Sequence, residues 1–143
     1  MTETVVIAAD HGGFDLKSAL VPELRALGHE VVDLGAMSRD AVDYPDVAEK
    51  VAQAIRAGRA SRGVLICGSG IGMSIAANRY REVRAALVHD GLTARLARQH
   101  NDANVLVLGG RLLGPELARD CLKIFFDTAF EGGRHVARVA KLS

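Results

Sequence analysis

Short runs of aliphatic residues alternate along this chain with longer stretches whose apolar positions recur every three or four residues. Val5-Val6-Ile7 predicts a first strand. Phe14 to Leu27 predicts a first helix, with Leu16, Leu20, Leu24 and Leu27 at helical spacing and Gly28 as its stop. Glu30 to Leu34 reads as a second strand. Pro45 opens a second helix whose apolar set is Val47, Ala48, Val51, Ala52 and Ile55. Gly63 to Cys67 has the continuous apolar character of a strand covered on both faces. A glycine-rich turn then leads into a helix around Met73 to Asn78. Arg84 to Val88, Leu92 to Gln99 and Val105 to Leu108 come next as strand, helix and strand, and Pro115 opens a helix to about Ala129.

This rhythm predicts one domain over residues 1–143, an α/β fold with a doubly wound, five-stranded parallel sheet of the flavodoxin-like kind, in strand order 2-1-3-4-5. A basic tail over residues 130–143 closes the chain. No repeat, low-complexity segment or linker interrupts the pattern.

Composition narrows the function classes. Nearly half of the 143 residues are apolar, so the chain can fill a core, and with four Phe, two Tyr and no Trp that core is aliphatic. A formal net charge of +1 gives no bulk attraction to nucleic acid or to an anionic membrane. The apolar runs are far shorter than the roughly 20 residues of a membrane span, and the start of the chain resembles no cleavable leader. Two cysteines, Cys67 and Cys121, make neither a disulfide framework nor a zinc spacing. The expectation is a cytoplasmic protein.

Open parallel sheets bind ligands at the carboxyl ends of their strands. The residues just past each strand are therefore informative. Asp10-His11-Gly12-Gly13 stands after the first, Gly68-Ser69-Gly70-Ile71-Gly72 after the third, His89-Asp90 after the fourth and Gly109-Gly110-Arg111 after the fifth. The opposite edge is plainer. The turn after Cys67 lets backbone approach a ligand and places free amides beside it, a cradle for a phosphate or a developing oxyanion. A dinucleotide fingerprint fails here because Met73 stands where its third glycine belongs.

Several of these side chains have two readings. Cys67 is either a buried strand residue or a thiol at a helix N-terminus, where the thiolate is favoured. His100 and Asn101 either close a helix or face a ligand. Tyr44 either starts a helix or reaches a sugar hydroxyl. Arg134 and Arg138, four apart on one helical face, are a solvated tail or a phosphate clamp that Arg111 could join. His89 is ambiguous, and His29 lies in an ordinary helix-to-strand turn.

The motifs Ala9-Asp10-His11-Gly12-Gly13, Asp43-Tyr44-Pro45, Cys67-Gly68-Ser69-Gly70-Ile71-Gly72, Ala76-Ala77-Asn78, Arg98-Gln99-His100-Asn101-Asp102 and Gly110-Arg111 occur in this order. On them the chain resembles ribose-5-phosphate isomerase of type B, in the wider group that includes allose-6-phosphate and galactose-6-phosphate isomerases. The resemblance implies that Cys67 moves a proton between C2 and C1 through an enediolate, with Ser69 assisting at the oxygens. It implies that the amides of Gly68, Gly70, Ile71 and Gly72 stabilise the negative oxygen and that His100 opens the sugar ring. Asp10, Tyr44 and Asn101 would hold hydroxyls, and His11, Arg111, Arg134 and Arg138 the phosphate.

It further implies a homodimer or homotetramer with the site shared between subunits, and no metal or other cofactor. Some relatives use a glutamate base further along the turn, where Met73 stands here. The competing functions are a sister isomerase for a six- or four-carbon sugar phosphate, one subunit of a hetero-oligomeric isomerase, and a non-catalytic phosphate-binding regulator.

Overall fold

Each apolar run becomes a strand whose successive side chains enter opposite layers of the molecule. The computed structural model describes residues 2–143. Its strands are β1 (Thr4–Ala9), β2 (Glu30–Asp33), β3 (Arg62–Cys67), β4 (Ala85–Leu87) and β5 (Val105–Gly109). Its helices are α1 (Phe14–Ala26), α2 (Tyr44–Arg56), α3 (Ile71–Ala77), α4 (Gly91–Asn101), α5 (Pro115–Asp127) and α6 (His135–Ala140). All four strand pairings are parallel.

Strand periodicity divides the core in two. Val5, Ile7 and Ala9 of β1, Val64 and Ile66 of β3, and Leu106 and Leu108 of β5 pack against α1, α4 and α5. The intervening Val6, Ala8, Leu65, Cys67, Val105 and Val107 pack against α2 and α3. A period of two therefore fixes which layer each strand residue serves.

The α/β class and the parallel sheet agree with the sequence reading, but the strand order does not. The sheet runs β2-β1-β3-β5-β4, so the last two strands are exchanged relative to the expected 2-1-3-4-5. The reason lies in the residues. All five positions of β5 are buried, as an interior strand requires, whereas the three residues of β4 are each only partly covered. Arg84 enters β4 with its guanidinium on the backbone oxygen and carboxylate of Asp102, an arrangement open to an edge strand. The long Val105 to Leu108 run was the available signal for the interior position.

Helix ends obey local chemistry. Asp90 caps α4 by accepting from the Thr93 amide at 2.8 Å, while Thr93 Oγ1 accepts from the Asp90 amide at 3.3 Å. At the other end Asp102, and not Asn101, adopts the left-handed conformation that closes α4 (φ 46°). Pro45 lies in the first turn of α2, where its missing N–H costs nothing. Lys17 of α1 is almost wholly buried and reaches Asp33 at 2.8 Å and the Ala36 carbonyl at 2.6 Å, fastening the loop after β2. His29 lies 3.6 Å from Glu3 and against the Phe126 ring, a packing role as expected.

The basic tail departs from a purely solvated segment. The Glu131 amide donates to the Gln99 carbonyl, and α6 folds back onto α4 with His135 buried at its first position.

Leu106, fully buried in β5, and Leu87, at the edge, test the corrected order. Leu106→Ala is expected to lower stability by about 2–5 kcal/mol, and Leu87→Ala by less. Urea unfolding of the two variants measures both, and a larger loss at Leu87 contradicts the edge position of β4.

Candidate active site

Because β1, β3 and β5 are neighbours, the loops that leave them share one stretch of the carboxyl edge. The exchange of β4 and β5 brings Gly110 and Arg111 beside the Cys67 turn, since Cys67 pairs directly with Gly109. The loops touch through backbone. A Cβ on Gly13 would lie 2.5 Å from the Ile66 carbonyl oxygen, and one on Gly110 2.5 Å from that of Gly12. Gly110 N donates to the Cys67 carbonyl at 2.8 Å and Arg111 N to the Gly68 carbonyl at 2.9 Å.

A cleft of about 740 Å³ opens over these loops. Cys67, Gly68 and Ser69 line it from β3 and its turn, with Ile71 and Gly72 from the start of α3. Asp10 and His11 line it from the β1 loop, Tyr44 from α2 and Arg111 from beyond β5. Nine of the expected site residues thus meet in one place. Gly12, Ile75 and Leu112 also line it and were not among them. Gly12 was visible inside the Asp10 to Gly13 motif. Nothing in the pattern singled out the two aliphatic residues.

The Cys67 thiol is nearly buried (5% exposed) and accepts from the Gly70 amide at 3.2 Å. Ser69 Oγ accepts from the Ile71 amide at the same distance. Two amides of the expected cradle are therefore engaged within the turn itself. Gly70 does not line the cleft. Its φ of +79° and the Leu87 side chain, 2.5 Å from where a Cβ would sit, make it the residue that shapes the turn. Asp10 is buried, and one carboxylate oxygen accepts from the Gly12 and Gly13 amides at 2.9 and 3.2 Å. His11 Nδ1 accepts from the Val42 amide at 3.3 Å, which leaves Nε2 as the proton-bearing nitrogen. Tyr44 lies against Gly72, where a Cβ would come within 2.6 Å of its ring. Met73, the position of the alternative base, is wholly buried in the core.

The remaining expected residues lie elsewhere. His100, Asn101 and Arg138 line a separate pocket of about 300 Å³ between α4 and α6, and this pocket shares no lining residue with the Cys67 cleft. Arg134 lines neither and approaches Glu131 at 3.8 Å from an exposed position. Within one copy of the chain, thiol and imidazole do not converge.

The α4 end that carries His100 is held firmly. Arg98 donates to Asp102 at 2.9 Å, to the Ala103 carbonyl at 2.6 Å and to the Thr128 carbonyl at 3.1 Å. The His100 ring stacks on that of His135, with centroids 4.4 Å apart and planes inclined by 15°. Burial, with Arg134 and His100 beside it, holds the His135 imidazole below the ordinary histidine range. Sequence reasoning missed His135 because the tail was read by its charge.

The chain is similar over nearly its whole length to proteins of one family. The profile of the family described as Ribose/Galactose Isomerase matches residues 5–142. Ribose-5-phosphate isomerase B of Escherichia coli (strain K12) is 42% identical over 139 residues, 97% of this chain and 93% of that protein. A ribose 5-phosphate isomerase from Thermotoga maritima superposes with a TM-score of 0.95 at 51% identity, covering 98% of this chain and 97% of that one. The type B enzyme of Trypanosoma brucei gives 0.96 at 48% identity, over 99% of this chain and 97% of its own. Fold, cleft and likeness together define an isomerase on an open parallel α/β sheet. The chain belongs to the ribose/galactose isomerase family of sugar-phosphate isomerases. Among the described residues, no helix is long and apolar enough to cross a membrane.

The two cysteines differ in a way that chemistry can read. Cys67 lines the cleft, whereas Cys121 of α5 is fully buried, and burial pushes its thiol up to about 11. A short iodoacetamide pulse near neutral pH is expected to modify Cys67 first and to spare Cys121 until the chain unfolds. Peptide mass spectrometry checks this, and earlier labelling of Cys121 contradicts the assignment of Cys67 to an accessible cleft.

Proposed function

We infer that this enzyme interconverts ribose 5-phosphate and ribulose 5-phosphate. The observation that carries the reading is the meeting of Cys67 in one cleft with Asp10, His11, Tyr44 and Arg111, side chains able to bind hydroxyls and a phosphate. In this reading the Cys67 thiolate takes the proton from C2 of the open-chain aldose while O1 gains one, forming the enediol(ate). The thiol then delivers a proton to C1, in part exchanged with water while it resides on sulfur, as O2 loses its own, and the ketose results. C2 is oxidised as C1 is reduced within one molecule, so no electron acceptor is required. Ser69 passes the proton between O1 and O2, and turn amides stabilise the negative oxygen. Asp10, held by two amides, and Tyr44 orient hydroxyls. His11 and Arg111 bind the phosphate from within the same copy.

Ribose 5-phosphate is mostly a closed furanose, so the reaction also needs a group that opens the ring. His100 takes that role in this reading, with Asn101 on a hydroxyl and Arg134 and Arg138 on the phosphate, all four supplied by a second copy. The separation of the two pockets within one chain supports a shared site. So does the apolar rim of the cleft, where Ile71, Ile75 and Leu112 are more than half exposed. A homodimer is the smallest assembly that completes it.

Cys67→Ala is expected to lower kcat by about 10²–10⁴-fold while still binding phosphate, and wild-type turnover in that variant would sink the mechanism. His100→Asn is expected to lose turnover of ribose 5-phosphate yet retain solvent exchange of the C1 protons of ribulose 5-phosphate, which has no furanose to open. Mixing the two inactive variants under subunit exchange is expected to restore about a quarter of wild-type activity, since half the dimers are hybrids with one intact site. No recovery on mixing argues for a site within one subunit. Allose 6-phosphate and erythrose 4-phosphate, assayed beside ribose 5-phosphate, test the sugar length.

A further inference from the structure

The geometry points to a divalent transition-metal site at His100, His135 and Glu131, where an ion of the zinc class is held by two imidazoles and a carboxylate. Ligand atoms of the three residues lie within 4.8 Å of one another. His135 is only 5% exposed, yet its Nε2 is buried without a hydrogen bond, an arrangement that calls for a partner. The nearest candidate, Glu131 Oε1, stands 3.5 Å away. Around a tetrahedral zinc with bonds of about 2.0–2.2 Å, neighbouring ligand atoms are roughly 3.4 Å apart. Glu131 and His135 already have that separation.

His100 must close the remaining gap by turning its ring out of the stack on His135, because a metal bonds in the plane of an imidazole. It is free to do so, since His100 is half-buried at the rim of the pocket and Glu131 is exposed. The pocket lined by His100 and His135 leaves room for water as a further ligand. Two imidazoles and one carboxylate suit zinc, cobalt and iron(II) better than magnesium or calcium, which prefer oxygen ligands. Arg134 and Arg138 oppose a cation here, so the site takes up its ion weakly and reversibly.

The consequence for turnover rests on the proposed ring-opening role of His100. A metal on His100 occupies the lone pair that would accept a proton during ring opening. The ion is thus an inhibitor of the closed-ring substrate and not a participant in the isomerisation.

The test is cobalt(II) titration of the chelator-treated full-length protein, monitored by visible d–d absorption. The expected result is one tetrahedral-type site per chain, with affinity reduced at least about tenfold in both His135→Gln and Glu131→Gln. Replacing the buried His135 can unsettle α6, so the exposed Glu131 carries the test should that variant not fold. Absence of a visible band, or equal affinity in wild type and Glu131→Gln, overturns the proposal. A thiolate charge-transfer band in the near ultraviolet, abolished by Cys67→Ala, places the ion in the other cleft and overturns it too. Zinc is then expected to slow isomerisation of ribose 5-phosphate and to spare C1-proton exchange in ribulose 5-phosphate. Binding as expected without inhibition upholds the metal site and removes His100 from ring opening.

Discussion

The contact on which the rest depends is backbone against backbone, where three loops meet at the carboxyl edge of the sheet. Gly12 and Gly13, the turn after Cys67, and Gly109 and Gly110 approach one another so closely that side chains at several of these positions would have no room. Such packing is possible only because β1, β3 and β5 are adjacent. Interior strands with fully buried residues fix the spacing of their ends, and the loops inherit that spacing. Thiol, buried carboxylate and Arg111 are therefore held by rigid elements instead of by mobile side chains.

Two rigid halves result. One is the Cys67 cleft. The other is the α4–α6 corner, fastened by Arg98 and Arg84 on Asp102 and by the Glu131 amide on Gln99. In the proposed mechanism aldose–ketose exchange needs both a carbon base and a ring-opening group, and the residues proposed for them, Cys67 and His100, line separate pockets of one copy. The proposed association of copies is what would bring the two together around one substrate.

Much of this was legible in the sequence. Aliphatic runs marked the strands, and the residues after the first, third and fifth of them marked the edge where the Cys67 cleft opens, whereas His89 and Asp90 after β4 do not line it. The pattern withheld what was relational. Two short apolar strands near the end of the chain differ in sequence only by the longer aliphatic run of β5, and its full burial against the partial cover of β4 decides their order. His135 was hidden for a similar reason: its burial comes from the return of α6 onto α4, which the basic residues around it do not signal. The packing roles of Arg98 and Lys17 likewise depend on distant carbonyls and carboxylates.

The alternation of side chains along β3 has a sharper implication. Cys67 faces the thinner layer built by α2 and α3, while its neighbour Ile66 faces the layer of α1, α4 and α5. Cys121, in that second layer, shows what the same atom becomes there: inert filler with its proton retained. Sliding β3 by one residue would move the Cys67 sulfur into that company. Parity along six residues of strand decides whether sulfur in this protein borders a cleft or merely fills volume.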